Sequence, residues 1–101
     1  MKDKDKLASR YKEARWRRLR QAILIRDNYQ CQYFKRYGIY KTASIVHHIV
    51  PATEDETKFY DSNNLISLSV EAHEKLHDRK TNELTVEGQR LRDRTKNKLK
   101  G

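Results

Sequence analysis

A single cysteine, Cys31, stands in a chain of 101 residues in which hydrophobic residues make up 36% and charged residues 37%. One thiol closes no intramolecular disulfide, so this is not a disulfide-stapled secreted domain. The apolar stock is enough for one small core and leaves little for a second domain. A core this lean usually needs help from a metal, a partner or tight helix packing. No apolar run approaches the ~18 residues of a membrane span. The opening MKDKDKLASR has no apolar stretch suited to a secretory signal. These features predict a soluble, cytoplasmic, single-domain protein over residues 1–101.

The charge is unevenly placed. Residues 1–41 hold 13 basic and 4 acidic side chains, whereas residues 42–101 hold 10 of each. Within the second part, residues 53–78 carry 2 basic and 7 acidic groups, and residues 79–101 carry 8 and 3. Two basic ends flank an acidic middle. Such blocks suit a polyanion, nucleic acid above all, although a Lys/Arg-rich helix can equally present a solvated face.

Leu7, Tyr11, Ala14, Leu19, Ala22 and Ile23 recur at near-helical spacing and predict a basic helix over about 7–26. Trp16 packs on it or sits at its edge, and Asp27-Asn28 breaks it. Aromatic and β-branched residues then predict short strands around 29–34 and 39–49, with a turn at Gly38 and an end at Pro51. Residues 52–63 read as a polar loop and Leu65-Ile66-Ser67-Leu68 as a short apolar segment. Ser69 is placed to N-cap a helix reaching about Asp78. A turn over 82–85 leads to a basic helix over about 86–96, weakened by Gly88. The fold class is α+β, with a motif core over about 45–80.

All four histidines lie in that core: His47, His48, His73 and His77. His73 and His77 are spaced i, i+4, so on the predicted helix they share one face and can grip a divalent ion. His47 and His48 are neighbours on a predicted strand and point to opposite faces. One of them can therefore complete a three-imidazole site while the other stays free. A free neutral imidazole beside a metal is a natural general base. Taken singly, each piece has a plainer explanation: surface histidines, a half-buried strand, or turn chemistry at Asn63-Asn64. Their joint placement favours the metal site.

The runs VHHIVP, NNLISLS and AHEKLHDRK resemble the HNH nuclease family, most closely the small phage-type HNH endonucleases. The stretch WRRLRQAILIRDNYQCQYFKRYG resembles the family's lead-in. The resemblance spans roughly residues 15–85. It implies a ββα-metal fold, two strands and a helix around one divalent cation, acting on DNA. It implies His47, His73 and His77 as metal ligands and His48 as general base. Asn64 then either orients the loop and the base or joins the metal shell, and the orienting role is favoured. Family products are a 5′-phosphate and a 3′-hydroxyl. Arg79 and Lys80 are candidates for the scissile phosphate, and Arg17, Arg18 and Arg20 for flanking phosphates. Nothing in the sequence resembles a dedicated recognition module, so weak sequence preference is expected. A lone site nicks one strand and cutting both requires a homodimer or a second partner, the chain itself being a monomer or homodimer. Family members associate with phage terminase or portal proteins.

The chain departs from the family in two respects. Where many members carry paired cysteines for a structural zinc, this sequence has Cys31 with Phe34 and Ser69 with Ala72. No zinc ribbon is expected, and Phe34 is expected to fill that space. At His47 many members have Asp. A three-imidazole set leans toward zinc, nickel, cobalt or manganese, with magnesium possible. The competing functional class is a non-catalytic DNA-binding module in which the metal is only a staple.

Overall fold

A computed structural model describes residues 9–81 and 83–99. A basic helix α1 spans Ala14–Arg26, and a single helical turn α2 spans Gln32–Lys35. Strand β1 is Ile45–His48 and β2 is Leu65–Leu68. Helix α3 runs Val70–Leu76, a two-residue strand β3 is His77–Asp78 and its partner β4 is Glu83–Leu84. Helix α4 closes the described chain over Val86–Leu99. The β1–β2 pair is antiparallel, with His47 opposite Ile66 and His48 opposite Leu65. Together with α3 it forms the expected ββα unit.

Several expectations are corrected. The first helix does not run unbroken from about 7: residues 11–13 form a turn and bend, and α1 begins at Ala14. Residues 7 and 8 lie outside the described residues. The break resets the helical phase. Trp16, Ile23 and Leu24 are buried, with Leu19 packed beside them, while Ala14 and Ala22 face solvent. The strand predicted at 29–34 is instead a bridge from Gln30 to Thr42 followed by α2. Of the strand predicted at 39–49, only Ile45–His48 forms. Tyr33 and Phe34 win their packing against Cys31, Leu68, Ala72 and Leu76 from a helical turn, so their β propensity is overridden.

Two apolar clusters flank the sheet. Trp16, Ile23, Leu24, Ala43, Val46, Phe59 and Leu65 form one, under α1. Cys31, Leu68, Ala72 and Leu76 form the other, under α3 and α4. The four positions of the family's paired cysteines converge in this second cluster. Cys31 and Ala72 are fully buried, Phe34 packs on them, and the Ser69 hydroxyl lies 3.4 Å from the Cys31 sulfur. The Ser69 side chain also accepts from the Ala72 N–H at 3.2 Å, capping α3 as its position predicted.

The C-terminal half is fastened by backbone contacts. Thr85 N donates to Leu76 O at 3.0 Å, ending α3 at Leu76 and starting α4. A Cβ on Gly88 would stand 2.1 Å from that same Leu76 carbonyl oxygen. Gly88 therefore does not merely weaken its helix; its missing side chain lets α4 lie against α3. Arg26 and Asp27 pin the end of α1 to β2. Arg26 donates to Ser62 O at 2.9 Å and Leu65 O at 2.8 Å, and Asp27 accepts from Ser67 N at 3.1 Å. Among the described residues, no helix is long and apolar enough to cross a membrane.

Candidate metal centre and catalytic cleft

Strand β1 sends its two histidines to opposite sides, as the period-2 reading required. His47 meets His73 and His77, with ring centroids 5.3 and 6.4 Å away, and those two stack at 5.4 Å. One ring nitrogen from each of the three lies within 4.8 Å of the others, a separation one ion can bridge with small ring rotations. His77 reaches this cluster by a different route from the one predicted. It lies past the end of α3, with extended dihedrals of φ −139° and ψ 119°, and pairs through β3 with Leu84.

The donor set suits a divalent ion. Burial, reinforced by His73, His77 and His48, holds the His47 imidazole down to about 3. Burial and neighbouring His77 also lower His73. Imidazoles that bind a metal must be neutral, so this environment favours the metal-competent form of His47 and His73. Were these three imidazoles to hold an ion, the open cleft beside them would leave room for water or substrate, as in catalytic rather than closed structural sites. That cleft has a volume of about 630 Å³, and all four histidines line it with Tyr11, Glu54 and Arg92.

His48 lies on the other side of the strand, buried at 7% exposure. Its ring stacks on Trp16 at 5.0 Å and packs against Phe59 at 4.6 Å. Its Nε2 is 2.9 Å from the Phe59 carbonyl oxygen. A carbonyl only accepts, so Nε2 carries the proton and Nδ1 keeps its lone pair. The Tyr11 hydroxyl lies 3.3 Å from Nδ1 and donates to it. Burial keeps the Tyr11 phenol protonated and lowers His48, with the Phe59 bond partly opposing the latter. Sequence reading missed Tyr11 as a neighbour of His48, because the two are joined only when the turn before α1 folds back over β1.

Asn64 is fully buried and faces the loop between the strands. Its Oδ1 accepts from Val50 N at 2.8 Å, while its Nδ2 donates to Val50 O at 3.1 Å and Lys58 O at 3.3 Å. It thus sews together the two ends of the segment that delivers the Phe59 carbonyl to His48. Arg17 and Arg18 are exposed on α1, whereas Arg20 is half-buried and donates to Ser44 O at 2.7 Å. Arg79 and Lys80 lie on the exposed turn after β3. Arg79 pairs with Glu74 at 3.1 Å, and neither residue lines the cleft. The arginine that does line it is Arg92 of α4, which the sequence reading passed over.

The fold and site together define a ββα frame that brings three histidines within reach of one ion, beside a fourth imidazole bonded to the Phe59 carbonyl. No family model matches the chain and no curated protein does. Among solved structures, it is similar to the crystal structure of an HNH endonuclease from the deep-sea thermophilic bacteriophage GVE2 with manganese ion. The TM-score is 0.69 and the identity 36%, over 77% of this chain and 80% of that one. The chain belongs to the HNH endonuclease family and is a nuclease by class.

Proposed function

We propose that this protein is a metal-dependent DNA endonuclease in which His48 is the general base and His47, His73 and His77 hold one divalent ion. The observation that carries this reading is the commitment of His48 Nε2 to the Phe59 carbonyl at 2.9 Å. It supports the tautomer protonated at Nε2, with Nδ1 left to accept a proton, and His48 lines the same cleft as the three-histidine cluster. In this reading His48 takes a proton from water as the water oxygen bonds to phosphorus and the bond from phosphorus to the 3′ oxygen breaks. The 3′ oxygen leaves with the electron pair of the broken bond and takes a proton from solvent, giving a 5′-phosphate and a 3′-hydroxyl. An ion held by His47, His73 and His77 would supply charge stabilisation to the reaction. Asn64 is a positioning residue that acts through the loop bearing Phe59. Exposed Arg17 and Arg18 hold flanking phosphates without reading sequence.

Manganese is the first ion to try, since the GVE2 relative was crystallised with it, and zinc, nickel and cobalt suit the same imidazole set. A lone site of this kind nicks one strand, and cutting both requires a second copy or a partner. A packaging protein such as terminase or portal is the partner class the family resemblance implies.

The test is conversion of supercoiled plasmid to open circles by chelator-stripped protein, with each metal restored in turn, beside single-stranded DNA and RNA of matched length. Metal-dependent nicking of duplex DNA is expected. Cleavage that needs no metal, or that is confined to RNA, would overturn the reading.

A further inference from the structure

We propose that Arg92 and Lys96 form a seat for a backbone phosphate at the edge of the metal cleft, and that the Glu54 carboxylate holds this seat until substrate arrives. The inference deepens the nuclease reading and rests on it. Both oxygens of Glu54 are taken by cations from one face of α4. Arg92 Nη1 is 2.7 Å from Oε1, and Lys96 Nζ is 3.2 Å from Oε2. The two cations are four residues apart, so they project from neighbouring turns toward one point. Arg92 Nε is also 3.0 Å from Asp93 Oδ1, which steadies the guanidinium from its outer side.

A phosphodiester presents what the carboxylate presents here: one negative charge over two oxygens that can accept from a guanidinium and an ammonium. Arg92 and Glu54 line the cleft with the four histidines, which places the seat within the same groove as the chemistry. Glu54 comes from the loop after Pro51, and its side chain is 34% exposed. It can turn out to water when a stronger-binding anion enters, an exchange of one anion for another. The seat also accounts for the placement of α4. Gly88 lets that helix lie against α3, which turns Arg92 to the cleft rather than to open solvent.

The experiment measures affinity for a short duplex DNA by fluorescence anisotropy across salt, in a His48→Ala background so that nothing is cut. Arg92→Gln is expected to weaken binding about ten- to hundred-fold and to reduce the salt slope by about 0.9. Arg92→Lys should restore the slope but only part of the affinity. Glu54→Gln should tighten binding several-fold, and that gain should vanish when Arg92→Gln is added. Unchanged affinity and slope in Arg92→Gln would overturn the seat. So would weaker binding in Glu54→Gln with an equal fall in Tm, the mark of a purely structural clamp. Because binding is read without cleavage, a wild-type protein that fails to nick plasmid under any metal counts against the nuclease reading and leaves the seat to be judged by its own data.

Discussion

Nδ1 of His48 has one lone pair, and the Tyr11 hydroxyl lies 3.3 Å from it. A water cannot hand its proton to that nitrogen while the phenol occupies it, so Tyr11 must give way during turnover. Tyr11→Phe is therefore expected to leave the single-turnover nicking rate unchanged or raise it. A fall of tenfold or more would mean that the hydroxyl takes part in the proton transfer. His48→Ala should lower the rate by about a hundred- to ten-thousand-fold, the usual contribution of a positioned base. His47 makes a different prediction. Its unfolded imidazole titrates near 6.5, but burial beside three other imidazoles holds it at about 3 in the fold. Above about pH 6.5 it is neutral in both states and adds no pH dependence. As pH falls below that, only the unfolded chain takes the proton, so stability declines, and the loss is complete below about 3. Thermal melts of metal-free protein should show Tm dropping on acidification, with a shallower drop in His47→Gln. The alternation of His47 and His48 was legible because a strand's period of two is local. The Tyr11 contact was not, since it depends on how a distant turn folds back.

At the scale of elements, the ββα unit was legible from short-range signals: the apolar run Leu65–Leu68, the capping Ser69 and the strand ending before Pro51. The errors came where long-range contacts decide. The i, i+4 spacing of His73 and His77 suits a helix, yet Thr85 binds the Leu76 carbonyl and β4 draws His77 into a strand. Likewise, Gly88 lowers helix propensity, but the close approach to Leu76 outweighs that cost. Gly88→Ala should destabilise the fold by about 1–3 kcal/mol, because backbone must move to admit the methyl group. Gly38→Ala offers a contrast. No atom stands within 4 Å of its added Cβ, and the cost comes only from φ +72°, about 1–2 kcal/mol. Denaturant melts of the two variants separate crowding from backbone strain. If Gly88→Ala melts like wild type, the packing of α4 on α3 described here is wrong.

For the whole molecule, a small core in two clusters is joined by arginine and asparagine bonds to backbone carbonyls, and by a histidine cluster that draws on β1, α3 and β3. A bound ion would tie these elements together, so metal should raise Tm by an amount that grows with the logarithm of its concentration over Kd. Basic character was plain from composition, but its division of labour was not. Of the arginines in α1, Arg17 and Arg18 face solvent, while Arg20 and Arg26 are spent on carbonyls of the fold. Arg17→Gln with Arg18→Gln should reduce the salt slope of DNA binding by up to about 1.8 and leave metal affinity unchanged. The proposed mechanism has two adjacent histidines do different work, one holding metal and the other taking a proton. Its most direct test is manganese titration by calorimetry on wild type, His47→Ala and His48→Ala, with plasmid nicking assayed on the same samples. His48→Ala is expected to bind one manganese with near wild-type affinity and not to nick, whereas His47→Ala is expected to lose tight binding. Loss of metal binding in His48→Ala, or full nicking by it, would rule out this division of roles between the two histidines.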